Sequence, residues 1–188
     1  MANLDDQYAM RTATLEAYAD TIIPGEKRTP DDRSIAGVAD GGGAVVAGAV
    51  ELLEGPEGGL AAMLDQLSEG LNHHAAAYAA ERGLVLDPSV PPFVALEFAD
   101  RTALVQRLTH PEHPERELWN AIAIFSYMAF DSAAHMHTTD AIAAGHVGLT
   151  MMGYAAPDTD GLWRFPDHSY GRQLAPLHPD TSPSGSLA

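Results

Sequence analysis

The sequence predicts an all-α protein, a bundle of about five helices followed by an irregular C-terminal arm. Three observations predict it. Apolar residues recur at three- and four-residue spacing in several separate segments. No pair of alternating apolar–polar segments offers itself as two joined strands. From Ala155 onward the periodicity stops and Pro, Gly, Asp and Ser become frequent. For a chain of 188 residues this suggests a helical domain over 1–154 and an extended arm over 155–188, its last residues flexible.

The elements follow in order. Leu15, Tyr18, Ala19, Ile22 and Ile23 have helical spacing, and Pro24-Gly25 ends that helix. GEKRTPDDRS is a turn-rich loop, and Ile35 to Asp40 suggests a short turn. Gly41-Gly42-Gly43 then leads into a small-residue helix from about Ala44 to Leu53. Gly48 inside it predicts close helix–helix contact, because no side chain holds the neighbour away. Three glycines before a helix suit an anion. Their spacing matches no phosphate-binding fingerprint and no strand precedes them, which favours a flexible lead-in.

A helix over 59–82 carries Leu60, Met63, Leu64, Leu67, Leu71, His74, Ala75 and Tyr78 on one face, with Gly83 as its stop. After the linker LVLDPSVPP, a helix is predicted from Phe93 to Leu108, with Glu97 and Arg101 placed for an i,i+4 pair. THPEHPERE is a proline-bounded loop whose His110 and His113 are expected in water. From Glu115 to His137 the chain is apolar nearly all round, the pattern of a central helix. Its stripe is Leu118, Ile122, Phe125, Ala129, Ser132 and Met136. A short capped helix from Thr138 or Thr139 to Ala144 closes at Gly145.

Composition narrows the function. Acidic residues outnumber basic ones 26 to 10, and the net charge of −16 disfavours nucleic acid and anionic membranes as partners. With no cysteine, disulfides, thiolate metal sites, iron–sulfur clusters and thiol nucleophiles are excluded. No apolar run approaches the roughly 20 residues of a membrane span. The N-terminus is acidic where a signal peptide is basic, so the expected location is cytoplasmic.

Chemistry concentrates in FDSAAHMHTTD, residues 130–140. Asp131 and His135 are four apart and would be neighbours on a helix face. One reading makes them an acid–base pair, with Asp131 orienting His135 as base. A second makes His74, Asp131, His135 and His137 ligands of a transition metal. The structural alternative is that the histidine favours a helix C-terminus and Asp131 simply holds it. A carboxylate in so apolar a helix calls for a partner under either reading. On the arm, Trp163, Arg164, Phe165 and Tyr170 need burial, either on the chain's own bundle or in an interface with another chain.

Two segments resemble the gluconate 2-dehydrogenase subunit 3 family. LEAYADTIIPGEKRTPDD, residues 15–32, is similar to its N-terminal signature, and LTMMGYAAPDTDGLWRF, residues 149–165, to its closing region. Together they cover about a fifth of the chain. The resemblance implies a small helical subunit that accompanies a large FAD-dependent oxidoreductase of sugars or alcohols, without a cofactor of its own. It would then bind and stabilise that partner through Ile22, Ile23 and Pro24 and the arm residues Trp163 to Tyr170. Many members carry a twin-arginine signal, absent here, and FDSAAHMHTTD does not map onto the family motif. The alternative is a stand-alone His/Asp-dependent enzyme, with or without a metal.

Overall fold

The apolar spacing around Tyr18 extends into a long first helix, α1 (Leu4–Ile22), in the computed structural model, which describes residues 4–154. Asp5 and Asp6 in its first turn suit the positive end of the helix dipole. Then come α2 (Ala49–Glu54), α3 (Leu64–Arg82), α4 (Pro92–Ala95), α5 (Phe98–Leu108), α6 (Arg116–Ser132), α7 (Thr138–Ala143) and α8 (Val147–Met151). Two 3-10 turns, Pro56–Gly58 and Ala61–Met63, join α2 to α3. Among the described residues there is no strand, and no helix is long and apolar enough to cross a membrane.

The central helix is α1 rather than α6. It packs against α2, α3, α4, α5 and α6, and buries Leu15, Ala17, Tyr18 and Ala19 completely. Tyr18 meets Phe93 and Trp119 at ring-centroid distances of 6.2 and 6.3 Å, and its hydroxyl donates to the Trp119 carbonyl at 2.8 Å. Leu64, Leu71, Leu104 and Leu108 complete this core. A buried aromatic trio with its one polar atom satisfied joins α1, α4 and α6.

Helix α6 is not buried all round. Its buried stripe is Trp119, Ile122, Ala123, Ser126 and Ala129, facing α2, α1 and α8. Ser132 and Met136, assigned to the core stripe from spacing, are both exposed, and Met136 lies beyond the helix, which stops at Ser132.

The predicted helix from Phe93 to Leu108 breaks at Leu96 and Glu97, both extended. The cause is Arg101. Its guanidinium is buried and donates to the carbonyls of Leu96 at 3.0 Å, Val94 at 2.6 Å, Ser34 at 2.6 Å and Arg33 at 2.9 Å. It thus ties the 33–36 loop to the α4–α5 corner instead of pairing with Glu97. Burial lowers its affinity for the proton, with the Asp20 carboxylate opposing that effect. Asp20, also buried, accepts from the N–H of Gly25 at 3.0 Å and of Ala36 at 2.8 Å. Buried charges held by several backbone dipoles are the pattern of a structural latch.

The glycine triplet serves close backbone approach. Ala44 N–H donates to Ile23 O at 3.0 Å, and Glu26 N–H to Gly41 O at 2.8 Å. A Cβ on Gly43 would collide with the Ile23 carbonyl, and one on Gly25 with the Gly43 amide. The helix expected from Ala44 begins only at Ala49, because Gly48 turns left-handed at φ 89°.

Candidate functional site

The polar side chains singled out from the sequence fall at opposite ends of α6. At its start, Glu115 organises the surroundings. The His74 ring donates Nε2–H to Glu115 Oε2 at 2.8 Å, and Trp119 donates Nε1–H to the same oxygen at 3.1 Å. These two donors hold the Glu115 carboxyl below its ordinary pKa, so it stays ionised. The Glu115 backbone N–H donates to His113 Nδ1 at 3.2 Å, as Glu112 N–H does to His110 Nδ1 at 3.3 Å. The repeat His110-Pro111-Glu112, His113-Pro114-Glu115 is thus a tandem turn, each proline setting the geometry that brings the glutamate amide back to its histidine. His74 stands edge-on to Trp119 at 5.7 Å and to His113 at 5.8 Å.

The far end of α6 differs. Ala133 adopts the left-handed conformation at φ 49° and caps the helix, its N–H returning to Ala129 O at 3.2 Å. His135 therefore lies beyond the helix, and the i,i+4 neighbourhood with Asp131 does not exist. Asp131 is exposed and needs no buried partner. His135 instead lies against Gly48, where any Cβ would strike the ring. Its Nδ1 is buried without a hydrogen-bond partner among the described residues. Burial pushes the imidazole below its ordinary pKa, with Glu51 opposing and His146 reinforcing. His146 lies 6.1 Å from it, buried at the start of α8. That ring donates Nε2–H to Ala47 O at 3.0 Å and accepts from Leu149 N–H at 3.4 Å, so both nitrogens are occupied structurally. His137 is exposed at the start of α7, with Nδ1 at 2.7 Å from Thr139 Oγ1.

A shared site of His74, Asp131 and His135 is therefore not assembled. His74 sits beside Trp119, and twelve helical residues separate Trp119 from Asp131, roughly 18 Å along the axis. Among the described residues no three His, Asp or Glu side chains converge as a metal site. Glu115 and His113, the best-organised polar pair, carry no predicted role from spacing. Their signal was the doubled His-Pro-Glu itself.

Ile22, Ile23 and Pro24 are half-buried, and the two isoleucines pack into the chain's own core clusters. Trp163, Arg164, Phe165 and Tyr170 lie outside the described residues. Exposed apolar side chains lie elsewhere, on α1 at Leu4, Tyr8 and Met10 and also on two later helices. On α6, Ile124 and Tyr127 are each 52 % exposed and Met128 39 %. On α8 and just after it, Met151, Met152 and Tyr154 are also exposed.

No curated protein and no solved structure matches this chain. One family, described as a family of unknown function (DUF5987), matches residues 9–188. With nearly the whole sequence inside that match, the chain belongs to the DUF5987 family.

Proposed function

We propose that this chain is a non-catalytic accessory subunit that binds and stabilises a large FAD-dependent oxidoreductase of sugars or alcohols. The observation that carries the binding role is the solvent face of α6. Ile124, Tyr127 and Met128 stand at i, i+3 and i+4 and form one apolar patch. Helix α8, packed on α6, ends in exposed Met151 and Met152. Methionine and tyrosine are enriched in the centres of protein interfaces, and a clustered apolar patch on so acidic a protein marks a contact surface. Ile22 and Ile23, half-buried against the chain's own core, offer less free surface.

Charge narrows the class of partner. Arg11, Arg28, Arg33, Arg82, Arg107 and Arg116 each pair with a carboxylate of this chain, and Arg101 is buried. The acidic excess of the chain favours a partner that carries basic residues. The flavin enzyme as that partner rests on the likeness of residues 15–32 and 149–165 to the gluconate 2-dehydrogenase subunit 3 family.

The test is affinity capture of the tagged full chain from its own host, followed by coexpression with any large flavin oxidoreductase that it retains. A yellow complex that copurifies, and that falls apart in the double variant Ile124→Asp/Tyr127→Asp, is the expected result. Both positions are already in water, so the variant should keep its helical circular dichroism. Absence of any flavin-bearing partner, or a complex indifferent to the double variant, overturns the reading.

A further inference from the structure

Two imidazoles at the start of α6 are fixed in the same tautomer with opposite ends occupied. Glu115 is ionised, so the His74 ring must donate Nε2–H to it, which leaves the Nδ1 lone pair of the neutral ring. His113 accepts at Nδ1 from the Glu115 amide, so in the neutral ring Nε2 carries its proton. One residue therefore sets one ring as an acceptor and its neighbour, 5.8 Å away, as a donor.

Both rings line a cavity of about 260 Å³ whose other walls include Tyr78, Leu104, Arg107 and Leu108. A second cavity of about 470 Å³ shares Arg107 and His113 with it. Arg107 is tied to Glu81 at 2.6 Å, so it offers no free positive charge there.

We propose that this cleft between α3, α5 and the His-Pro-Glu loop binds a neutral, hydroxyl-bearing small molecule through His74 and His113. A hydroxyl needs one acceptor for its proton and one donor for its oxygen, and the pair supplies one of each. An anion would face Glu81, Glu112 and Glu115 on a chain of net charge −16. A cation is drawn by the same carboxylates and an ammonium could donate to His74 Nδ1, but it offers no lone pair to the His113 N–H. Leu104, Leu108 and the Tyr78 ring give the carbon skeleton an apolar wall. The inference does not depend on partner binding.

The experiment uses the full chain, nitrogen-15 labelled, about one pH unit above the ordinary imidazole value. Long-range proton–nitrogen spectra report each ring's tautomer while phenyl β-D-glucopyranoside is added to tens of millimolar. Phenyl phosphate and phenyltrimethylammonium are the charged comparators. The expected result is a saturable shift of His74 Nδ1 and His113 Nε2 with the glucoside only. His74→Ala should weaken that binding about tenfold, and His73→Ala should leave it unchanged. No saturable shift, equal shifts with either charged comparator, or unchanged affinity in His74→Ala overturns the proposal. Should His74→Ala fail to fold, the three-probe comparison on the unaltered chain decides.

Discussion

At the start of α6, the Glu115 carboxylate accepts hydrogen bonds from His74 and Trp119, and its backbone N–H donates to His113. At the end of the same helix, Asp131 faces water and His135 keeps a buried nitrogen without a partner among the described residues. Both ends carry an acid and a histidine. What separates them is the backbone. Two prolines hold the loop before α6 so that side chains return onto the helix, whereas the left-handed Ala133 turns the chain away from it. A carboxylate and a histidine near each other in sequence become a working pair only when the chain between them keeps its register.

The largest expected effect tests the C-terminal side of this contrast. Gly48 is left-handed at φ 89° and forms the surface on which the His135 ring lies. Gly48→Ala should destabilise the fold by about 2 kcal/mol or more, from backbone strain and ring collision together. Adding His135→Ala should recover the collision part and leave about 1 kcal/mol of backbone strain. Urea unfolding of the two single variants and the double forms the cycle. If the double variant is no more stable than Gly48→Ala, the ring does not rest on this glycine.

The two ends should also separate by pH. His135 in the fold has its pKa depressed from the ordinary 6.5, so the unfolded chain binds that proton more readily. Stability then rises with pH up to about 6.5 and is lost as pH falls below it. Glu115 is depressed from 4.5, so its contribution is present above that value and fades only in more acid solution. Unfolding midpoints against pH should show that His135→Phe flattens the slope just below 6.5 while Glu115→Gln changes only the acid limb. A His135→Phe curve that parallels the unaltered protein between pH 5 and 6.5 contradicts the burial of that ring.

Spacing made the helical architecture legible, because a periodic apolar face has few ways to be buried. Gly83, Pro24 and Gly145 marked stops that the structure keeps, each by removing a side chain or a donor the next helical turn needs. The breaks at Leu96 and Ala133 were illegible for opposite reasons. The first depends on Arg101 reaching carbonyls 67 and 68 residues away in sequence. The second is an alanine, an excellent helix former, in a conformation that only its surroundings impose. That cap carries His135 off the helix while Asp131 stays on an exposed face of α6, and the candidate site drawn across the two went with it. The doubled His-Pro-Glu signalled the turn, but not the side-chain role of Glu115, because its partner His74 lies 41 residues away in sequence.

The smallest effect tests the cap that creates the difference. Ala129 and Ala133 are both fully buried, and the former lies inside α6 while the latter ends it. Replacing either by glycine deletes one buried methyl, about 0.8 kcal/mol, and adds the flexibility of glycine, about 0.5–1 kcal/mol. At Ala129 nothing offsets this, so Ala129→Gly should lose roughly 1.5 kcal/mol. At Ala133 the left-handed backbone strain of about 1–2 kcal/mol is relieved, so Ala133→Gly should change stability by less than about 0.5 kcal/mol. Thermal or urea unfolding of the two variants measures the gap directly. Equal losses at both positions would mean that Ala133 carries no strain, and the turn that parts His135 from Asp131 would need another cause.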